Sequence, residues 1–189
     1  MSDPDIKVHE KWMKEALRLA NAALAQGEFP VGCVLVSQNQ EVGKGSRTNS
    51  GGMAQNELDH AEILALRDWV KRGKPGHCIT VYSTLEPCLM CTGALLINGI
   101  NNIVFAYEDV MGGACGIKLG AISASGQTLR DYSMYRKLKV TSGVLRHESL
   151  RLFKGFFSQP NNNYLKGTPL EQYTLEAYKH EKQKHRQNH

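Results

Sequence analysis

The sequence predicts an α/β protein with a three-layer α/β/α arrangement, in which a five-stranded mixed sheet lies between helices on both faces. Two observations predict this fold class. Short apolar runs that suit buried strands alternate with longer segments that carry apolar residues at helical spacing. In addition, 189 residues with 41% hydrophobic content are enough for one well-buried domain. The alternation of strands and helices implies right-handed crossovers and a partly parallel sheet.

The first elements are a helix and a hairpin. Residues 9–26 carry apolar side chains at helical spacing with Lys and Arg on the other face, and Gly27 is a suitable helix stop. The nearly continuous apolar run at 29–36 predicts a strand that is covered on both faces. After a polar turn, residues 41–47 predict the returning strand of the hairpin, with an exposed edge.

The later elements alternate regularly. The pattern predicts three helices, at about 60–72, 88–98 and 147–157, and three strands, at 78–84, 102–107 and 138–144. One domain is therefore expected over residues 1–157. The segment SQPNNNYLKGTP interrupts the pattern, so residues 158–189 are interpreted as a C-terminal extension that is partly helical and ends in a basic, flexible tail.

Much of the positive charge lies in that tail. The net charge of the chain is +5, and residues 179–189 carry four Lys or Arg against one Glu, which is +3 and leaves +2 for the rest. The nearly balanced body argues only weakly for a polyanionic partner. The tail itself is interpreted either as an arm that contacts RNA or as a solvated terminus.

The predicted compartment is the cytoplasm, with no membrane contact. The first residues are crowded with charges and lack the apolar core of a signal peptide. No apolar run approaches the ~20 residues that a membrane-spanning helix needs. Five cysteines, an odd number, argue against a disulfide framework. Cys33 and Cys78 lie in apolar runs and are expected to be buried core residues.

Cys88 and Cys91 are the two cysteines with the spacing of metal ligands. In the segment EPCLMC, Pro87 suits the first turn of a helix. Both thiols would then lie on one face at the positive end of that helix, where the thiolate form is favoured. By itself, a C-x-x-C pair is equally typical of redox chemistry or of half a structural zinc site.

A second helix start, in the segment LDHAEILAL, removes much of that ambiguity. Asp59 suits the cap of a helix that begins near His60, and in the first turn His60 and Glu62 can both project beyond the helix end. His60, Cys88 and Cys91 make three ligands. Structural zinc normally has four protein ligands, whereas catalytic zinc has three and an open position for water. Because Glu62 is placed to exchange protons with that water, the sequence favours one catalytic Zn²⁺.

The segments HAE and PCLMC match an H-x-E…P-C-x-x-C signature, and the chain resembles the zinc-dependent cytidine and nucleoside deaminase superfamily. The segments FPVGCVLV, HAEILALR, STLEPCLMCTGALLINGINNIVFA and VTSGVL resemble its bacterial tRNA-specific adenosine deaminase branch and relatives that include fungal-type cytosine deaminase. The resemblance covers roughly residues 9–157. It implies a cytidine-deaminase-like fold, the same architecture that the pattern of elements predicts.

The resemblance also implies a reaction and a role for each motif residue. The zinc ligands would be His60, Cys88 and Cys91, and the proton shuttle would be Glu62. Four residues are expected to contact the substrate: Asn49, Val31, Ala61 and Asp109. For Asn49, a loop residue that caps a turn is a serious alternative. The reaction would be hydrolytic deamination, in which an exocyclic ring amine becomes a carbonyl and ammonia is released.

The substrate stays open between two classes. Similarity to the tRNA branch favours adenosine in a tRNA anticodon loop. A free base or nucleoside, such as guanine, cytosine or cytidine, is favoured by departures from that branch. The loop before His60 lacks an Asn-Arg-Pro opening, the loop EDVMGGACG lacks a basic residue, and the extension could fold over the pocket. A zinc-stabilised binding subunit without activity is a third alternative, but such a subunit would be expected to lose Glu62.

A homodimer is the expected assembly. The resemblance implies packing near the segment CTGALLINGI, which contains more apolar residues than one sheet face needs. The alternative is a core helix that is buried within a single chain.

Overall fold

The computed structural model describes residues 4–51, 56–116 and 138–187. Within these ranges one sheet is formed by five strands: β1 (Gly32–Ser37), β2 (Gln40–Ser46), β3 (Thr80–Leu85), β4 (Asn102–Tyr107) and β5 (Lys139–Ser142). It is accompanied by five helices: α1 (Pro4–Ala25), α2 (Ala61–Lys71), α3 (Leu89–Ile97), α4 (Arg146–Phe157) and α5 (Pro169–Gln187). Each element expected up to residue 157 is present, with ends that differ by a few residues.

The sheet is mixed, as predicted. Its strand order is β2-β1-β3-β4-β5. Strand β1 is antiparallel to β2 and to β3, whereas β3, β4 and β5 are parallel to one another. Parallel neighbours need a crossover connection, and α3 supplies it between β3 and β4. The two parallel strands β3 and β4 therefore end at the same edge of the sheet.

Alternate side chains of β1 enter two separate cores. Cys33 and Leu35 pack in a cluster with residues of α2, α3, α4 and α5, whereas Val34 and Val36 pack in a cluster with residues of α1. This alternation is the period of two that a pleated strand imposes. All of β1 is buried, so the prediction of a strand covered on both faces is confirmed. The three-layer α/β/α prediction is confirmed with it.

Helix α2 packs very closely against β2. A Cβ atom added at Gly45 would lie only 2.4 Å from the carbonyl oxygen of Ala61, the first residue of α2. The N-terminus of α2 can approach the sheet to this distance because position 45 carries no side chain. Gly45 therefore allows the first turn of α2, which carries Glu62, to lie directly against β2.

The helix predicted within the C-terminal extension is present as α5, which packs against α4. Leu170 and Thr174 of this helix are buried. The hydroxyl of Tyr173 donates a hydrogen bond to Oε1 of Glu108 at 2.6 Å, and Arg146 of α4 forms ion pairs with both Glu108 and Glu181. Apolar and ionic contacts thus attach the extension. The domain boundary at residue 157 stays a prediction, and the side chains of residues 184–189 lie outside the described part.

Cys78 corrects one expectation from the sequence. Its side chain is exposed and its backbone has a positive φ of 51°, so it belongs to the turn that precedes β3. The strand begins two residues later, at Thr80. The prediction of a buried core cysteine is wrong here, because the apolar run in the sequence begins two residues before the strand does. Along the described ranges, no helix combines the length and the apolar character that crossing a bilayer requires.

Candidate active site

His60 lies at the start of α2. It is the N-cap residue, with extended backbone angles (φ −67°, ψ 149°), and its side chain makes no capping bond. The sequence predicts Asp59 as the cap, but Asp59 instead accepts hydrogen bonds from the side-chain amides of Asn49 and Asn56, at 2.8 and 2.7 Å. The cap prediction is wrong because loop amides take the carboxylate. The imidazole of His60 is left at the open end of the helix.

Cys88 and Cys91 lie at the start of α3. Cys88 is the N-cap residue (φ −70°, ψ 175°), and Cys91 follows in the first helical turn. The backbone here is fixed by a β-bridge between Cys88 and Gly113 and by a hydrogen bond from the N–H of Ala114 to the carbonyl of Pro87 at 3.0 Å. Both thiols therefore lie at the positive end of a helix dipole, which favours negative charge on sulfur.

The three predicted ligands form one cluster with metal-site geometry. The ligand atoms of His60, Cys88 and Cys91 lie within 4.8 Å of one another. The Sγ atoms of Cys88 and Cys91 lie 3.6 and 3.5 Å from Nδ1 of His60. A tetrahedral zinc with Zn–N near 2.0 Å and Zn–S near 2.3 Å holds neighbouring ligand atoms about 3.5 Å apart. The donor set therefore fits Zn²⁺, and no fourth His, Cys, Asp or Glu of the described ranges joins the group.

The two thiols share one negative charge. A hydrogen bond from the Cys91 thiol and, to a smaller extent, the His60 ring lower the pKa of Cys88 to about 4 against the opposing effect of burial. The same contact with Cys88, together with burial, raises the pKa of Cys91. The pKa of His60 is raised, chiefly by its hydrogen bond with Cys88. Thiolate character is thus present in the cluster even without a metal, as ligands to zinc require.

Glu62 lies beside this cluster and is buried, with 3% of its surface exposed. The hydroxyl of Ser83 donates a hydrogen bond to Oε1 at 2.6 Å, and the Cys91 thiol lies 3.4 Å from Oε2. Burial raises the pKa of Glu62 above the ordinary carboxyl value, although the hydrogen bond from Ser83 works in the opposite direction. A carboxyl group with a raised pKa can both take and return a proton near neutral pH.

The remaining cysteines stand apart from the ligand cluster. Cys33 is fully buried in the sheet, and burial raises the pKa of its thiol. Burial likewise raises the pKa of Cys115 to about 12. Both are therefore protonated core residues, and Cys78 lies exposed in its turn. None of them shares the helix-start setting of Cys88 and Cys91.

One cavity opens onto the cluster. Its walls come from the chain around β1, the starts of α2 and α3, the loop after β4 and the C-terminal extension. Three of the four predicted substrate contacts line it, namely Val31, Ala61 and Asp109. The carboxylate of Asp109 accepts hydrogen bonds from the N–H groups of Met111 and Gly112 at 3.0 and 2.9 Å, so it also fixes its own loop.

The fourth predicted contact, Asn49, is not among the described residues that line the cavity. It is exposed, has a positive φ of 56°, and donates its amide to Asp59 at 2.8 Å. This geometry corresponds to the alternative of a residue that stabilises a turn. Asp59 directly precedes His60, so Asn49 still lies at the edge of the site.

The cavity also contains a polar wall, formed by Arg47, Glu57 and Tyr164, that the sequence did not predict. Nη2 of Arg47 donates to Oε2 of Glu57 at 3.0 Å and lies 3.3 Å from the Tyr164 hydroxyl, which itself donates to Oε2 of Glu57 at 3.0 Å. Arg47 is only 2% exposed. The one feature of the sequence that could have pointed to Arg47 is its place directly after strand β2, which packs against the core. Tyr164 lies 117 positions further along, beyond the reach of any spacing rule.

Two further cavity residues, Leu165 and Leu170, also come from the C-terminal extension. The extension is therefore part of the cavity and not only an appendage. This arrangement corresponds to the alternative expected from the sequence, in which the extension folds over the pocket.

Comparison with known proteins agrees with this geometry. A family model described as the cytidine and deoxycytidylate deaminase zinc-binding region matches residues 6–107, which is 102 of 189 residues. The match covers β1 to β4 and all four residues of the two motifs. The family is thus one that binds zinc, and the three-ligand cluster is where this chain can hold the ion.

Individual relatives extend beyond the matched region. A protein of Haemophilus influenzae named tRNA-specific adenosine deaminase is 40% identical over 152 residues, covering 79% of this chain and 83% of the relative. One of Xenopus laevis named tRNA-specific adenosine deaminase 2 is 34% identical over 82% of this chain and 89% of the relative. A solved structure from work on A-to-I editing by tRNA:A34 deaminases has a TM-score of 0.57 at 26% identity, over 75% of this chain and 98% of that one. The chain therefore belongs to the cytidine and deoxycytidylate deaminase family and is a zinc-dependent hydrolytic deaminase.

Proposed function

We propose that this deaminase converts adenosine to inosine in the anticodon loop of tRNA. The observation that carries the proposal is the 40% identity to a tRNA-specific adenosine deaminase across 83% of that protein's length. A solved structure of a protein that edits adenosine at the wobble position has the same fold over 75% of this chain. The two likenesses cover 79% and 75% of this chain, so they support a common substrate class.

In this proposal His60, Cys88 and Cys91 hold one Zn²⁺ at the bottom of the cavity. When bound, the ion supplies a water whose pKa is lowered from ~16 toward ~7. Two thiolates donate more charge to zinc than imidazoles would, so the ion is a milder acid. An assisting carboxylate is therefore needed to move protons.

Glu62 is that carboxylate. It takes a proton from the attacking water and delivers it to the ring nitrogen next to the carbon that carries the amino group. Glu62 then transfers the second proton of the water to the amino group, which leaves as ammonia. One water is consumed, one ammonia is released, and the amino-bearing carbon becomes a carbonyl. The raised pKa of Glu62, caused by burial, suits a group that must accept and return a proton in each cycle.

The remaining roles concern position and contact. Ser83 holds Oε1 of Glu62, which leaves Oε2 directed toward the ligand cluster. Val31 and Ala61 pack their apolar side chains against the ring of the substrate nucleobase. Asp109 contacts the substrate from the loop after β4. Asn49 contacts the substrate from the edge of the site. A tRNA substrate also fits the cytoplasm as the compartment.

We further propose a homodimer that forms through α3. Leu89 and Ile97 of this helix are 57% and 61% exposed, and Leu58 next to the site is 60% exposed. Large apolar side chains that are this exposed favour a contact surface. Size-exclusion chromatography with light scattering is expected to give twice the chain mass of 21.0 kDa. A mass of one chain would overturn this part of the proposal.

The substrate is tested with a panel of zinc-loaded reactions. The panel contains an anticodon stem-loop with adenosine at the wobble position, the same stem-loop with guanosine there, free adenosine, guanine, cytosine and cytidine. Inosine in the first RNA, with ammonia released in equal amount, is the expected result. Ammonia from a free base or nucleoside, with no inosine in RNA, would reject tRNA as the substrate. Bound zinc with no ammonia from any member would favour a binding subunit without activity.

A free base is the second candidate, and a specific observation favours it. Tyr164, Leu165 and Leu170 of the extension line the cavity, which narrows the space above the reacting atoms. A narrow cavity suits a small substrate better than an extruded base on an RNA loop. The guanine and cytosine reactions of the panel test this candidate directly.

A further inference from the structure

The imidazole of His60 has two edges with different neighbours. Nδ1 faces both thiols, at 3.6 and 3.5 Å. Nε2, on the other edge, lies 3.6 Å from Oε2 of Glu57. When Nδ1 binds a metal, the ring proton must reside on Nε2, so the remaining donor of the ring points toward a carboxylate. Carboxylates in this position fix the orientation of a metal-binding histidine and raise its basicity.

Glu57 would not stay in this position unaided. Its side chain is 61% exposed, and a long exposed carboxylate samples several rotamers. Two groups restrain it. The guanidinium of Arg47 and the hydroxyl of Tyr164 both donate to Oε2 at 3.0 Å, the same oxygen that faces His60.

Arg47 is itself anchored from several sides. It is 2% exposed, and a buried cation needs an anionic partner, which Glu57 supplies. Nη1 donates to the carbonyl of Asn56 at 2.7 Å, so the guanidinium holds the backbone next to Glu57 as well as its side chain. Because this arginine is buried and cannot move without breaking these hydrogen bonds, it defines where Glu57 lies.

Tyr164 brings the C-terminal extension into the same arrangement. Its ring packs against Phe29 with a centroid distance of 5.4 Å, and its backbone N–H donates to the side chain of Asn162 at 2.9 Å. The hydroxyl is thereby held over Glu57 and Arg47. A segment more than a hundred residues from His60 thus reaches the edge of its ring through one carboxylate.

We propose that Glu57 is a positioning residue for His60 in the zinc site, and that Arg47 and Tyr164 hold it there, so that the C-terminal extension takes part in setting the metal centre. The inference rests on the proposed function in one respect, since it requires His60 to be a zinc ligand. It does not depend on which base is deaminated.

The test measures how fast the full-length, zinc-loaded protein releases zinc to an excess of a coloured chelator, without substrate. Glu57→Gln keeps the size of the side chain and removes its charge, and it should release zinc about 10- to 100-fold faster. Tyr164→Phe removes one of the two restraining hydrogen bonds and should accelerate release about 3- to 10-fold. Tyr173→Phe is the matched control. It also removes a hydroxyl of the extension that donates to a carboxylate, Glu108, and it should release zinc at the wild-type rate.

Cobalt-substituted protein gives a spectroscopic readout that a merely structural role would not move. The visible absorption bands of Co²⁺ depend on how its ligands are oriented, so Glu57→Gln should shift them. Spectra are taken well below the melting temperature of the variant, because the loss of charge opposite the buried Arg47 also costs stability. Release and spectrum both at wild-type values for Glu57→Gln would overturn the proposal. If only Tyr164→Phe released zinc at the wild-type rate, Glu57 would keep its positioning role, but the C-terminal extension would have no part in it.

His60→Ala separates this inference from the proposed function. Loss of zinc from His60→Ala is expected if His60 is a ligand. Full retention of zinc in that variant would contradict the proposed ligand set itself. If His60→Ala loses zinc but Glu57→Gln behaves as wild type, the ligand set stands and only the positioning role of Glu57 fails.

Discussion

The floor and the polar wall of one cavity are built in opposite ways. We call the four motif residues at the two helix starts the floor: His60, Glu62 and Cys88, which line the cavity, and Cys91, which is fully buried beside them. The wall consists of Arg47, Glu57 and Tyr164, which come from a strand end, a loop and the C-terminal extension. In the floor, the spacing within each of two short motifs places two groups at one helix start, and the fold brings the two starts together. In the wall, no two of the three groups share a motif, and all three meet only through the tertiary fold.

The two regions also differ in what holds them. Glu62 is 3% exposed and bonded to a fully buried serine, so its position is set by the packed core. The side chain of Glu57 is 61% exposed and depends on two directed hydrogen bonds. Exposed polar contacts contribute less than buried ones and break more easily. The floor should therefore keep its arrangement better than the wall does, and a change in the wall should alter how firmly His60 holds zinc and not which groups carry out the reaction.

The largest effect is expected in the floor. Glu62→Gln removes the proposed proton shuttle and should lower kcat by about 10²- to 10⁴-fold, because in that proposal one group makes both proton transfers. Zinc content should stay at one ion per chain, since Glu62 is not among the three proposed ligands. The measurement is the initial rate of ammonia release, with metal content determined on the same sample. Substantial residual turnover in zinc-loaded Glu62→Gln would exclude this role.

The second effect tests whether the floor depends on the core beneath it. Gly45→Ala places a Cβ atom 2.4 Å from the carbonyl oxygen of Ala61, so α2 must shift. Overpacking of this kind should cost about 1 to 3 kcal/mol of unfolding free energy. His60 and Glu62 move with the helix start, so zinc release and activity should suffer too. The measurement is urea unfolding together with metal release.

Gly155→Ala is the matched control for that substitution. Gly155 lies within α4, outside the helix proposed for the homodimer, and a Cβ atom there meets only the side chain of Leu24, at an ordinary contact distance of 3.8 Å. Alanine should raise stability by about 0.5 to 1 kcal/mol through its higher helix propensity. If Gly45→Ala were as stable as wild type with normal zinc retention, the close approach of α2 to β2 would not be what positions the floor.

The contrast between floor and wall also explains what could be predicted from the sequence. Strands with period-two burial and motifs at helix starts are local patterns, so the sheet, the helices and the grouping of Cys88 with Cys91 follow from spacing. Glu57 carries no such pattern, because its role depends on Arg47 and Tyr164. The failure at Asp59 has the same origin. Its carboxylate accepts hydrogen bonds from Asn49 and Asn56, loop amides whose positions the sequence does not reveal, and so does not cap the helix.

The third effect tests how the extension that carries Tyr164 is attached. Burial raises the pKa of Glu108, but hydrogen bonds from Arg146 and Tyr173 lower it more, and the net pKa lies below the ordinary value of 4.5. A lowered folded-state pKa contributes stability that is present above pH 4.5 and is lost as the pH falls through the folded-state value. Glu108→Gln should therefore cost about 1 to 3 kcal/mol at pH 7.

The loss of stability in Glu108→Gln should depend on pH. The stability difference between wild type and Glu108→Gln should be largest at pH 7 and should shrink as the pH falls from 5 to 3, measured by urea unfolding at each pH. A difference that stayed constant over this range would mean that the charge of Glu108 does not attach the extension. Because wild type and Glu108→Gln are compared at the same pH, the effects of all other titrating carboxylates on stability cancel in the difference.

The smallest effect concerns Asn49, at the boundary between floor and wall. Its φ of 56° suits glycine, so Asn49→Gly removes the amide without straining the backbone. If the amide contacts the substrate as proposed, kcat/KM should fall about 3- to 10-fold, the value of one hydrogen bond to an uncharged group, with little change in melting temperature. Asn49→Ala should add a loss of stability, because alanine does not favour a positive φ. Unchanged kcat/KM in Asn49→Gly would assign Asn49 to the turn alone, where its hydrogen bond to Asp59 supports the residue that precedes His60.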